Sequence, residues 1–155
     1  AFANHIPVEE RDDLLPAYFN RLVDPNPETH RPAAAAWCAY ENACSRLLPF
    51  KSKTTQNDVF YSGALAMARI EAHYMTHGGF LAPNQLLEGI SKLTDHPAVI
   101  VQGRYDMVCP VRTAAELAAA WSKAEYVIVP DAGHSAMEPS IRSALVAAAE
   151  RFKRY

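Results

Sequence analysis

The sequence predicts an α/β protein: helices packed on a parallel sheet in the C-terminal third, preceded by an all-helical region. Three observations carry this reading. Residues 98–103, Ala-Val-Ile-Val-Gln-Gly, form a short apolar run rich in β-branched residues, the pattern of a strand covered on both faces. A second such run spans 125–129, and each run is followed by a segment of helical periodicity. From about residue 7 to residue 95, by contrast, the periodicity is helical throughout and no strand pattern occurs.

Taken in order, helices are expected over 9–23, 28–48 and 58–76, with a short one over 84–93. Breaks fall at Asp24-Pro-Asn-Pro, over 49–57 and at His77-Gly-Gly, where proline and glycine punctuate the chain. The strand at 98–103 then leads to a helix over 111–122, with Ala114, Leu117, Ala118 and Trp121 at i, i+3, i+4 and i+7. Pro110, with Thr113 close behind, suits the start of that helix. After the second strand comes a last helix whose apolar stripe is Ile141, Leu145, Ala148 and Phe152. The organisation is therefore a helical region at 1–95 and a βαβα region at 96–155. Two strands alone leave edges and faces to cover, so the sequence reads as part of a larger core.

Composition narrows the function. Half of the 155 residues are hydrophobic, 21% are charged and the formal net charge is −2. Lys and Arg are scattered, so there is no basic stripe for nucleic acid. No apolar run approaches the roughly 20 residues of a membrane span. Cys38, Cys44 and Cys109 lack metal-ligand spacing and are odd in number, which favours reduced thiols and a cytoplasmic location. His73 and His77 stand at i, i+4, but no third ligand is evident, so no metal is expected. No glycine-rich phosphate loop occurs.

Two residues beyond the strands can carry chemistry. Ligands of open α/β sheets gather past the carboxyl ends of strands, where Asp106 and His134 both lie, 28 residues apart and separated by one helix and one strand. A carboxylate placed there can accept the Nδ1 proton of a histidine, fix its tautomer and stabilise the imidazolium formed during catalysis. Taken singly, such an Asp is commonly a loop or capping residue and such a His a surface one; the pair points to the acid and base of a triad. Gly133 allows the backbone to turn before His134. Cys109 reads as a small buried hydrophobe. The usual nucleophile motif of this order, Gly-x-Ser-x-Gly, does not occur in the 155 residues, so the attacking serine is expected upstream of Ala1.

Two glutamates stand out in the helical region. Glu41 follows Trp37 and precedes Cys44 and Leu48 on one helical face, and Glu71 shares a face with Phe60, Ala64, Met67, Ala68 and Met75. A carboxylate inside an apolar stripe is costly unless paired. Its partner is either a substrate amine or, more plainly, water or Arg46 and Arg69 at the edge of the stripe.

Trp37-Cys-Ala-Tyr-Glu41, Ala68-Arg-Ile-Glu71-Ala-His-Tyr, Gly78-Gly-Phe, Gly103-Arg-Tyr-Asp106-Met-Val-Cys-Pro and Gly133-His134-Ser-Ala together resemble the proline iminopeptidase (prolyl aminopeptidase) family of the α/β-hydrolase superfamily. The resemblance spans nearly the whole chain. It implies a partial α/β-hydrolase fold, comprising the last strands and helices of the sheet, preceded by a helical cap. It also implies Asp106 as triad acid, His134 as general base, and Glu41 and Glu71 as the cap acids that receive the substrate's α-amine. The implied substrate is a peptide with N-terminal proline, cleaved without cofactor or metal, and the 155 residues alone are expected to be inactive. An epoxide hydrolase or dehalogenase would use the same Asp and His with an Asp nucleophile, but its substrates carry no amine for the two glutamates. A non-catalytic, truncated product is the remaining alternative. Oligomeric state is not encoded in any of these features.

Overall fold

The computed structural model describes residues 2–49 and 58–153. Two compact units form among them, one within Ala1–Asn42 and Lys51–Ala82, the other within Ala43–Phe50 and Pro83–Tyr155.

The first unit is helical. Its long helices are α1 (Leu14–Val23), α2 (Pro27–Cys44) and α3 (Asp58–Thr76), preceded by 3-10 turns at Phe2–His5 and Val8–Glu10. The expected start of the first helix at residue 9 moves to Leu14. An earlier start would put Pro16 in the helix interior, where it has no N–H to donate and its ring crowds a carbonyl one turn back; starting at Leu14 leaves it in the first turn. The Asp24-Pro-Asn-Pro break is built by two side chains. Asp24 Oδ1 accepts the Asn26 N–H at 2.7 Å, and Asn26 Oδ1 caps the Glu28 N–H at 3.1 Å, with Pro27 at the first helical position. Pro32 lies inside α2 and forfeits one backbone bond there. That helix ends at Cys44 rather than residue 48, so Leu48 leaves the predicted face and is 75% exposed.

The core of this unit is aromatic at one end and alanine-rich at the other. Tyr18 is fully buried, stacks on Phe2 at 4.2 Å, meets Trp37 edge-on at 5.7 Å and donates its hydroxyl to the Phe2 carbonyl at 2.9 Å. On α3 the buried positions among the described side chains are Ala64, Ala68 and Ala72, while Met67 and Met75 of the predicted stripe are exposed. Small residues let α3 approach its neighbours closely, and the flexible methionines fall outside that contact. The side chain of Phe60, and the predicted break from residue 50 to 57, lie outside the described residues. At the end of α3, Gly78 and Gly79 take φ of +58° and +66°, a left-handed conformation that favours glycine and stops the helix where His77-Gly-Gly predicts.

The second unit carries the sheet. Strands β1 (Ala98–Gly103) and β2 (Ala124–Val129) pair in parallel, from Ala98 opposite Ala124 to Gly103 opposite Val129. Helix α4 is only Gln85–Glu88, followed by a 3-10 turn at Ile90–Lys92; Gly89, poor at sustaining a helix, divides the single helix expected over 84–93. Helix α5 (Val111–Ala120) connects the strands and α6 (Pro139–Phe152) follows β2. The α/β class and the parallel βαβα order thus agree with the sequence. The expectation of two-sided burial fits less well: Val129 and Ile141 are buried, but Ile128 is 43% exposed and Leu145 of the α6 stripe 40%. A sheet two strands wide among the described residues cannot cover both of its faces.

Candidate active site

Backbone bonds stitch together the loops that follow the two strands. Arg104 N–H donates to the Val129 carbonyl at 2.9 Å and Tyr105 N–H to the Ala132 carbonyl at 3.0 Å. Chain separation at this seam is minimal. A Cβ on Gly103 would lie 1.9 Å from the Gly133 carbonyl oxygen and 2.8 Å from that of Ala132. Glycine is required here by space.

Gly133, where the sequence suggested a need for turning, is crowded less severely. Its φ lies outside the left-handed region. The constraint is a close approach instead: an added Cβ would meet Leu47 N at 3.0 Å and the Arg46 carbonyl carbon at 3.2 Å.

This seam brings Asp106 and His134 together. Asp106 Oδ2 lies 3.0 Å from His134 Nδ1, with the carboxylate side chain only 6% exposed and the imidazole 39% exposed. The carboxylate is held from several sides. Oδ1 accepts the backbone N–H groups of Val108 at 2.9 Å and Cys109 at 2.8 Å, and Oδ2 also accepts the Gln102 side-chain amide at 3.0 Å. Burial pushes the Asp106 carboxyl up, but the Cys109 N–H, His134 and the Val108 N–H together outweigh it and hold the carboxyl below its ordinary range. Asp106 is therefore ionised at neutral pH, an acceptor that keeps the Nδ1 proton on its side of the ring and leaves Nε2 for proton transfer.

Gln102 is a hydrogen-bonding neighbour of this pair that periodicity does not reveal. It is 8% exposed, and its amide reaches Asp106, the Cys109 carbonyl at 3.0 Å and the Gly103 carbonyl at 3.3 Å. All three partners are acceptors, which fixes the amide's orientation. The one signal available in sequence was a polar residue inside an otherwise apolar strand.

Cys109 differs from expectation: it is exposed, because its backbone is turned inward to serve Asp106 and Gln102. Local desolvation and then the Asp106 charge push its thiol up, so it is a poor nucleophile. Thr113, in the first turn of α5, donates its hydroxyl to the Pro110 carbonyl at 2.7 Å, beside its own N–H, and α5 has no side-chain cap.

In the first unit, Glu41 and Glu71 are half-buried. Glu71 Oε2 accepts the indole N–H of Trp37 at 2.8 Å. Arg69, one of the partners considered for the glutamates, donates Nε to the Leu22 carbonyl at 2.6 Å. Cys38, also on α2, contacts the Ala64 carbonyl with its Sγ at 3.7 Å. Burial, then the charge of Glu71, then that of Glu41, push the Cys38 thiol up, so both carboxylates act on one neighbourhood.

His73 and His77 have ring centres 4.5 Å apart, but His77 Nδ1 is engaged with the His73 carbonyl at 2.7 Å. Among the described residues no group of three His, Cys, Asp or Glu side chains is placed to hold a metal ion, and no helix is long and apolar enough to cross a membrane.

Known proteins resemble the chain over nearly its whole length. The chain is 45% identical over 150 residues to a probable proline iminopeptidase of Leptolyngbya boryana, covering 95% of this chain and 46% of that protein. It is 43% identical over 152 residues to the proline iminopeptidase of Xanthomonas citri, covering 97% and 48%, and 41% identical over 156 residues to that of Arabidopsis thaliana, covering 98% and 40%. The chain thus spans about half the length of the curated relatives it matches, or somewhat less. Residues 61–152 match the model of a family described as TAP-like protein, one of the α/β hydrolases. With a parallel βαβα order and an acid and a histidine past its strand ends, the chain belongs to that TAP-like α/β-hydrolase family.

Proposed function

We propose that Asp106 and His134 are the acid and base of a serine-type aminopeptidase that releases N-terminal proline from peptides. The observation that carries this reading is the 3.0 Å bond between a sealed, ionised Asp106 and Nδ1 of His134. The names of the similar proteins support the choice of substrate. The nucleophile in this reading is a serine N-terminal to Ala1, since Gly-x-Ser-x-Gly is absent from the 155 residues.

The proposed chemistry is acyl transfer. His134 Nε2 takes the serine proton as the oxygen attacks the carbonyl of the substrate's first residue. Asp106 stabilises the imidazolium, which then protonates the leaving amine, and water repeats the sequence to release proline. Glu41 and Glu71 bind the protonated secondary amine, and a fixed amine site limits cleavage to one residue. Trp37 holds Glu71 in place. The reading calls for no metal or cofactor, and takes residues 1–95 as cap and 96–155 as the end of the hydrolase core. The two half-buried carboxylates, Glu41 on α2 and Glu71 on α3, support it over an epoxide hydrolase or dehalogenase, whose substrates carry no amine for them.

The test is an assay of the protein expressed from its full reading frame, with proline and alanine naphthylamides. Faster hydrolysis of the proline substrate, abolished by His134→Asn, is expected. Equal rates on the two substrates would sink the proline assignment.

A further inference from the structure

Besides Gln102, Glu138 is the buried polar or charged side chain among the described residues, at 8% exposure. The mechanism above does not use it. It precedes α6, and its two carboxylate oxygens are divided between two backbone donors far apart in sequence: Oε1 accepts the Leu47 N–H at 2.9 Å, and Oε2 accepts the Gly133 N–H at 3.0 Å. The Ser45 carbonyl closes the same junction from the other side, accepting the N–H of His134 at 3.1 Å and that of Ser135 at 2.8 Å. Every bond in this ring lies within the second unit.

We propose that Glu138 is a positioning residue for His134, clamping the histidine loop to the 45–47 segment by accepting two backbone N–H groups at once. This rests on the role given to His134 above. Only a carboxylate meets the demand. Both donors are N–H groups in a buried junction, and each left unmet costs its desolvation. A glutamine offers one acceptor oxygen and turns its NH2 toward the second N–H; an apolar residue offers none. With Glu138 present, the backbone on both sides of His134 is bonded, so its imidazole reaches Asp106 from a fixed base. A nucleophile's base displaced by about 1 Å loses on the order of a hundredfold in rate.

The test compares Glu138→Gln with the unsubstituted protein, both from the full reading frame, on proline naphthylamide. A kcat reduced about tenfold to a hundredfold with KM within about twofold is expected, because the substrate's amine is bound elsewhere while the base is misplaced. An unchanged kcat in a folded Glu138→Gln protein would overturn the proposal. Amide hydrogen exchange on the unsubstituted protein needs neither activity nor a folded variant: Gly133 and Leu47 amides are expected to exchange slowly, and rapid exchange of both would also overturn it. An inert unsubstituted protein, or an active His134→Asn, would defeat the aminopeptidase reading instead and leave the exchange result to decide the clamp.

Discussion

Asp106 is hydrogen-bonded to Gln102, Val108, Cys109 and His134, and the consequences are testable at that residue. Its carboxyl sits below the ordinary range in the folded chain, so the folded state binds its proton less readily than the unfolded state. The associated stability is present above the unfolded pKa and is lost as the pH falls from about 4 downward through the folded value. Acid titration of thermal stability is expected to show this loss, and Asp106→Asn to flatten that part of the curve; an identical acid limb in the two proteins would contradict the assignment. The same substitution is expected to reduce kcat of the full-reading-frame protein by roughly 10⁴-fold, since an amide in this place favours the wrong imidazole tautomer. Gly103 makes a second prediction. A methyl group 1.9 Å from a backbone oxygen forces the seam apart, so Gly103→Ala should destabilise the protein by about 1–3 kcal/mol, measured by denaturant unfolding, and should lower activity with it.

At the scale of elements, what could be read in advance was local and what could not was distant. Strands at 98–103 and near 125–129 announce themselves through consecutive β-branched residues, and their parallel pairing follows from the helix between them. The positions of Asp106 and His134 follow from the same order. Hidden from that reading were Gln102, whose amide works through a loop seven residues on, and Glu138, whose partner Leu47 is 91 residues away. Periodicity sees neither. On α3 it placed the buried Ala64 and Ala68 correctly but also counted Met67 and Met75, which are as apolar as the alanines yet lie outside the close contact. Between α2 and α3, the Trp37 to Glu71 bond predicts that Trp37→Phe raises KM for proline substrates severalfold while changing kcat little. Loss of that bond and part of the indole should also cost about 1–3 kcal/mol of stability. A KM unchanged in steady-state assays would remove Trp37 from the account.

For the whole molecule, the chain matches about half of each longer relative named above, and its two strands leave Ile128 and Leu145 partly open. The 155 residues purified alone are accordingly expected to hydrolyse no proline naphthylamide, because no Gly-x-Ser-x-Gly motif occurs within them; measurable turnover would contradict the proposed placement of the nucleophile. The central claim is narrower: a charged substrate amine is held by Glu41 and Glu71 while Asp106 and His134 drive acyl transfer. Its most direct test is to present the full-reading-frame protein with proline naphthylamide and with the same compound acetylated on its nitrogen. The account predicts rapid cleavage of the free amine, negligible cleavage of the acetylated compound, and loss of that discrimination in Glu41→Gln/Glu71→Gln. Equal cleavage of both compounds by the unsubstituted protein would contradict it.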